Sequence, residues 1–142
     1  MYRKFEYSKH IMLWKHMAKE KTIERIVAKT KDDMEMAKSS TAYFLFTEIN
    51  VKTEKKAYIY NVFNEYVANS CYACNIGTPC SACPIKIGRC SDGLYEEYVY
   101  AISKYTETNN KEYLDEAIQY ALDIAHAELN KEVIEYYNIE VC

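Results

Sequence analysis

Five of the six cysteines of this 142-residue chain are gathered in one stretch, SCYACNIGTPCSACPIKIGRCSDG, residues 70–93. Their spacing is C-x2-C-x5-C-x2-C-x6-C, and they are Cys71, Cys74, Cys80, Cys83 and Cys90. Two residues between thiolates allow both sulfurs of a CxxC pair to point at one ion, and four thiolates satisfy tetrahedral zinc. The spacing therefore predicts a closed, structural zinc site made by four of these five cysteines.

The identity of the fourth ligand stays open on spacing alone. Cys71 and Cys74 end a predicted helix and are the strongest candidates, followed by Cys83. Cys80 would complete a second CxxC pair, whereas Cys90 would tie the following helix to the ion. Zinc binding can order a loop that has almost no core of its own, because the binding free energy is also folding free energy.

Other chemistries compete with zinc for the same cysteines. An iron–sulfur cluster is the main alternative cofactor, because C-x2-C spacing and a Cys-Pro pair also occur in ferredoxin-like ligation, although the runs there are tighter. Disulfides or a redox-active thiol pair are the next alternatives. A thioredoxin-type redox motif would require a βαβ pattern, and neither CxxC lies in one. The start of the chain, MYRKFEYSKH, has no secretory signal, so we expect a reducing cytoplasm, where clustered cysteines more often bind metal.

Catalytic motifs are missing from the sequence. It contains no HExxH, GxSxG, P-loop or GxGxxG pattern, so we expect a protein that is not an enzyme. The histidines could replace a thiolate as ligands, and they are His10, His16 and His126. His10 precedes Trp14 by one helical turn, and this position favours a half-buried structural role.

The elements around the cysteines are predicted to be mainly α-helical. The chain has only 3 Gly and 2 Pro, all within the cysteine stretch, which argues against a many-stranded sandwich. No run of about 18 uncharged apolar residues is present, so no membrane-spanning helix is expected. We predict a single helical domain over 1–142, with N-terminal helices in 1–70, the metal knot in 71–90 and acidic helices in 91–142.

Apolar periodicity locates most of the helices. Helical stripes are predicted in YSKHIMLWKHMAKEK, residues 7–21, in residues 54–70, and again after the cysteines from about residue 92. Residues 22–36 are predicted to be helical from their helix-forming composition, although their apolar periodicity is poor. Asn109 or Asn110 is predicted to begin the clearest helix, whose apolar face runs from Leu114 through Leu129. Residues 42–51, AYFLFTEINV, are aromatic and β-branched enough to predict one short strand, with a buried helical turn as the alternative.

Charge is distributed unevenly along the chain. Residues 1–31 carry nine Lys/Arg against three Glu, a balance of +6, whereas residues 92–142 carry three Lys against twelve Asp/Glu, a balance of −9. Residues 32–91 hold six of each sign, so the total is −3. Such a split is typical of a polyanion-binding arm, of an acidic surface for a basic partner, or of two ends that attract each other.

The chain is also rich in tyrosine. Its 15 tyrosines are compatible with packing along helix faces, and also with an interface to another protein or to a second copy in an oligomer.

Four segments together give this chain a resemblance to a known type of protein. They are HIMLWKHMA near the start, the helix into CYAC, the CSACPI segment, and C-SDGLYEEY followed by the Ala-rich AIQYALDIAHAEL. The chain resembles small, uncharacterised Cys-rich accessory proteins of tailed bacteriophages and prophages over roughly residues 8–18 and 66–130. Residues 38–65 depart from that pattern. The resemblance implies that the protein acts in the bacterial cytoplasm during infection. Small phage proteins of this size commonly bind a host or anti-phage defence factor and inhibit it, so the resemblance also implies such a partner.

Three functional hypotheses follow. The leading one is a zinc-stabilised interaction protein that binds a host or defence protein, whose acidic helices would face a basic surface. The second is a nucleic-acid-binding zinc protein that uses the basic arm of residues 1–31, helped by Lys86 and Arg89. The third is an iron–sulfur or thiol redox protein.

Overall fold

A computed structural model of the chain describes residues 3–66, 83–86 and 93–141. The described part holds six helices and two short strands, and this confirms the prediction of a mainly α-helical protein. In chain order the elements are β1 (Arg3–Phe5), α1 (Tyr7–Met17), α2 (Glu20–Ala37), α3 (Tyr43–Phe63), α4 (Leu94–Thr108), α5 (Lys111–Ala125), α6 (Lys131–Tyr136) and β2 (Ile139–Val141). Within these ranges no helix is both long and apolar enough to cross a membrane.

The helix ends follow local chemistry. The residues directly after α2, α3 and α4 are Lys38, Asn64 and Asn109, and each has left-handed backbone with φ of 50°, 55° and 58°. Asn tolerates this conformation better than most residues because its short polar side chain bonds locally. Asn110 then caps α5, because its side-chain Oδ1 accepts a hydrogen bond from the backbone N–H of Glu112 at 3.0 Å.

The strand predicted for residues 42–51 is wrong. These residues form the beginning of α3, which continues without a break to Phe63. Thr47, Asn50 and Val51 are buried at helical spacing, so one face of this segment lies against neighbouring helices. Aromatic and β-branched residues favour strands only weakly, and tertiary packing overrides that preference here.

The core is built where α1, α4 and α5 pack together, with α2 and α3 on the side of α4. Trp14 meets Tyr98 edge to face, with ring centroids 5.4 Å apart. Tyr98 is fully buried, and its hydroxyl donates to the carbonyl of Met17 at 2.7 Å, which satisfies one unpaired carbonyl at the end of α1. This contact ties the first helix to the helix that follows the cysteine stretch.

The two strands bring distant parts of the chain together. β1 and β2 are parallel, and Arg3, Lys4 and Phe5 pair with residues 139–141. Phe5 is 1% exposed, so the short sheet also delivers an aromatic side chain to the core.

Candidate functional site

Residues 83–86 of the cysteine stretch are held against the connection between α5 and α6. Ile85 forms an antiparallel bridge with Leu129. The backbone N–H of Lys86 donates to the carbonyl of Glu128 at 2.9 Å, and the N–H of Asn130 donates to the carbonyl of Pro84 at 2.7 Å. Ile85 is 1% exposed and belongs to the core, so this part of the stretch is fixed by both hydrogen bonds and apolar burial.

Cys83 is the predicted zinc ligand that the structure describes. It is half-buried and packs against the hydrophobic core, two residues before Ile85. The other predicted ligands, Cys71, Cys74, Cys80 and Cys90, lie outside the described residues. Among the residues that are described, no group of three or more His, Cys, Asp and Glu side chains could hold a metal ion. The zinc hypothesis therefore rests on the cysteine spacing, and the structure adds a fixed position for one thiol.

The connection that holds residues 83–86 is itself clamped by α1. The hydroxyl of Tyr7 donates to the carbonyl of Ala127 at 2.7 Å. One turn later, Nε2 of His10 lies 2.9 Å from the carbonyl oxygen of Ile124. Because a carbonyl only accepts, Nε2 carries the proton and donates it. The first helix thus fixes the end of α5, which leads directly into the residues that bond to Pro84 and Lys86.

His10 is buried as a neutral imidazole. The side chain is 1% exposed, stacks on Tyr7 with ring centroids 6.0 Å apart and lies 5.9 Å from the Phe5 ring. Burial lowers the pKa of His10 from 6.5 to about 4, although the bond to Ile124 opposes the shift. Its Nδ1 is buried without a hydrogen-bond partner in the part of the chain that the structure describes. The prediction of a structural role for His10 agrees with this position, but the ring is fully rather than half buried.

A buried lysine lies between the helices that flank the cysteine stretch. Lys55 of α3 is 0% exposed. Its Nζ lies 4.1 Å from the ring centroid of Tyr95 and 5.3 Å from that of Trp14. Cation–π attraction of this kind compensates part of the cost of burying an ammonium group. The cation therefore joins α1, α3 and the first turn of α4.

A second charged group on α3 connects to the two N-terminal helices. The Oε1 of Glu54 lies 2.6 Å from Nη2 of Arg25 and 3.1 Å from Nε2 of His16. His16 also stacks on Tyr58, with centroids 4.3 Å apart. The bond from His16, and then that from Arg25, lowers the pKa of Glu54, while burial opposes the shift. Arg25 is therefore already engaged within the chain.

The basic and acidic ends of the chain make no ion pair with each other in the described parts of the chain. Every ion pair of residues 3–31 with a described residue is made either locally, with Glu54 of α3, or with Glu65 two residues beyond α3. Between 93 and 141 the ion pairs are Lys104 with Glu107 and Lys86 with Glu128. No ion pair joins residues 3–31 to residues 93–141. The register of β1 and β2 nevertheless places Lys4 opposite Glu140, so attraction between the two ends stays an open interpretation of the charge split.

Carboxylates form an exposed acidic face on α4 and α5. These residues are Glu97, Glu112, Asp115, Glu116 and Asp123. None of them makes an ion pair with a described residue. Glu97 lies on α4 and the other four on α5. Burial, and then the charges of Glu97 and Glu116, raise the pKa of Tyr120 on α5. We call these five residues the acidic face.

Sequence reasoning did not predict the burial of Ile85 and Lys55. Ile85 is a single apolar residue between Pro84 and Lys86, and nothing in its neighbours predicts a bridge to Leu129, 44 positions away. Lys55 carried no signal either, because lysines in an amphipathic segment normally lie on the solvent side.

Comparisons with known proteins returned no relative. No family model matches this chain, and neither the curated proteins nor the solved structures contain a significant match.

Proposed function

We propose that this chain is a non-enzymatic, zinc-stabilised interaction protein that binds a basic surface of a host or anti-phage defence protein and inhibits it. The setting is the bacterial cytoplasm during phage infection. The observation that carries the proposal is the acidic face, five exposed carboxylates that no described cation of the chain pairs with. Unpaired charge of one sign on a folded surface steers and selects a partner of the opposite sign.

Zinc has a mechanical role in this proposal. The cysteine stretch separates α3 from α4, and residues 83–86 are bonded to the connection after α5. A metal held by Cys83 together with three of Cys71, Cys74, Cys80 and Cys90 would join α3 and α4 through one ion. The zinc would supply folding free energy of order 10 kcal/mol, and the carboxylates would supply recognition.

Elemental analysis of aerobically purified protein tests the metal. We expect one zinc per chain and colourless protein. Brown protein with visible charge-transfer absorption would instead support the iron–sulfur alternative. Protein that carries neither zinc nor iron would overturn the metal part of the proposal.

Serine substitutions identify the ligands. Cys71→Ser is expected to lose both zinc and the folded state, because an incomplete thiolate site releases the ion that orders the stretch. Comparing Cys80→Ser with Cys90→Ser distinguishes the fourth ligand, since only one of the two should lose zinc. Cys142→Ser is the matched control and should keep both zinc and melting temperature. A Cys71→Ser variant that keeps both would exclude Cys71 as a ligand.

Capture experiments test the acidic face. A variant with Glu112→Gln, Asp115→Asn and Glu116→Gln removes three charges from the face, and a control with Glu20→Gln, Asp32→Asn and Glu35→Gln removes three exposed charges from α2. We expect the wild-type chain and the control to retain a host protein at low salt and to release it as salt rises, because screening weakens exposed charge pairs. The face variant should retain much less. Equal retention by both variants, or retention that salt does not change, would contradict the proposal.

Exposed lysines near the N-terminus favour nucleic-acid binding as a second candidate. Lys15 and Lys19 are exposed and make no ion pair with a described residue, whereas Arg25 is engaged by Glu54. Phosphate contacts from such residues would give salt-dependent binding of low specificity. A gel-shift assay at low salt checks this, and no shift with the wild-type chain would remove the candidate.

A further inference from the structure

A cleft of about 500 Å³ opens beside the start of α3, with α4 as its other wall. Aromatic rings and carboxylates dominate its lining: Ser40, Thr41, Tyr43, Phe44, Glu96, Tyr100, Ser103, Lys104 and Glu107. Phe44 and Tyr100 are 37% and 49% exposed, so part of each ring surface is available to a ligand. Its size lies within the range of pockets that hold a small ligand or a side chain.

The cleft already accommodates a cation of this chain. The Nζ of Lys104 lies 5.6 Å from the ring centroid of Tyr100 and 3.6 Å from Oε2 of Glu107. The charge of Glu107, and then that of Tyr100, raises the pKa of Lys104, so the surroundings favour positive charge. Glu96 on the same wall makes no ion pair with a described residue. Glu96 and the exposed surface of the Phe44 and Tyr100 rings therefore remain for a second cation.

We propose that this cleft binds an arginine side chain of a basic partner protein. Charge complementarity with Glu96 selects the cation, because Glu107 is already paired with Lys104. The planar guanidinium both stacks on aromatic rings and forms paired hydrogen bonds with a carboxylate. The inference rests on the proposed function, because it locates where a basic partner of the interaction protein is anchored.

A peptide titration followed by two-dimensional amide NMR tests the cleft. The probes are a capped hexapeptide with one arginine between two leucines and the same peptide with citrulline in place of arginine. We expect amide shifts to cluster in residues 40–49 and 96–107. The citrulline peptide should bind about 10-fold more weakly, because it keeps the shape but loses the charge. Shifts elsewhere, or equal affinity for the two peptides, would overturn the proposal.

Paired variants locate the binding charge. Glu96→Gln with Glu107→Gln should weaken arginine-peptide binding by about 5-fold, the size expected for exposed ion pairs. The control, Asp32→Asn with Glu35→Gln, removes two exposed charges from α2 and should leave the affinity unchanged. Tyr100→Leu keeps apolar bulk at a partly exposed position and should also weaken binding, because it removes the ring face. Equal weakening in the cleft and control variants would mean that only net charge matters and would refute the cleft.

The same samples separate the cleft from the proposed function. Zinc content and circular dichroism are measured for every variant, so a failed titration in zinc-loaded, folded protein refutes the cleft alone. Zinc-free wild-type protein refutes the metal part of the proposed function instead. Sedimentation tests whether a second copy of this chain occupies the cleft instead. If the chain dimerises and the Glu96 and Glu107 substitutions abolish the dimer, the occupant is a second copy, and the assignment to a partner protein is overturned.

Discussion

Acid should destabilise this protein through His10. The ring is 1% exposed, its Nε2 donates to Ile124, and its Nδ1 has no hydrogen-bond partner among the described residues. Protonation would therefore place both a positive charge and an unsatisfied N–H at Nδ1 inside the core. The unfolded chain has no such constraint and binds the proton with a pKa near 6.5, whereas burial lowers the folded-state pKa of His10 to about 4.

The sign and size follow from these two pKa values. Between them the unfolded state binds more protons than the folded state, so the free energy of unfolding falls as the pH falls. Above pH 6.5 the penalty is absent, and below about pH 4 it stops growing, because both states are then protonated. With 1.36 kcal/mol per pKa unit, His10 alone should remove about 2 kcal/mol by pH 5 and about 3 kcal/mol by pH 4.

Urea unfolding of the wild-type chain, His10→Gln and His126→Gln between pH 7.5 and pH 4 provides the assay. Gln can still donate to Ile124 but cannot gain a charge, so the His10→Gln curve should lose about 2 kcal/mol less than the wild-type curve between pH 7 and pH 5. His126 is exposed, and its variant should follow the wild-type curve. Parallel curves for wild type and His10→Gln would refute the reasoning. If His10→Gln does not fold, NMR titration of the wild-type imidazole decides, and protonation near pH 6.5 would be the contradicting result.

Three further substitutions test the packing around the cysteine stretch, each by chemical denaturation. Ile85→Ala should lower the free energy of unfolding by about 2–5 kcal/mol because it leaves a cavity in the core, whereas Ile49→Ala at an exposed position should change it by less than about 0.5 kcal/mol. Similar losses at the two positions would mean that Ile85 is not an anchor. Tyr98→Phe should cost about 1–2 kcal/mol because the carbonyl of Met17 loses its donor, and an unchanged midpoint would show that this bond contributes nothing. Lys55→Glu should lower the free energy of unfolding much more than Lys55→Met. The aromatic faces repel an anion but not an apolar side chain of similar length. Equal losses would show that the cation–π contacts do not stabilise Lys55 in the core.

Local chemistry made some elements predictable. Asn110, one of the two residues predicted to begin α5, caps it, and the predicted apolar face is buried from Leu114 to Ala125. The predicted face extended too far, because α5 ends at Ala125 and Leu129 is half-buried beyond it. Helical periodicity of this kind is complete within one segment, so no distant residue is needed to interpret it. The prediction for residues 42–51 failed because aromatic and β-branched residues fit both a strand and a buried helix. Contacts with α2 and α4 decided between them.

The sequence by itself determined the helical class, the position of the cysteine stretch between the third and fourth helices, the thiol spacing that predicts zinc, and the separation of charge between the two ends. These properties depend on composition and on residues close together in the chain. Tertiary structure alone decided that Lys55 is enclosed by Tyr95 and Trp14, and that Ile85 bridges to Leu129. It also showed that Phe44 of α3 and Tyr100 of α4 line one cleft, so the candidate docking surface became visible only once the helices were packed. The physical reason is that burial and pairing are properties of residues far apart in the chain, and folding alone brings them together.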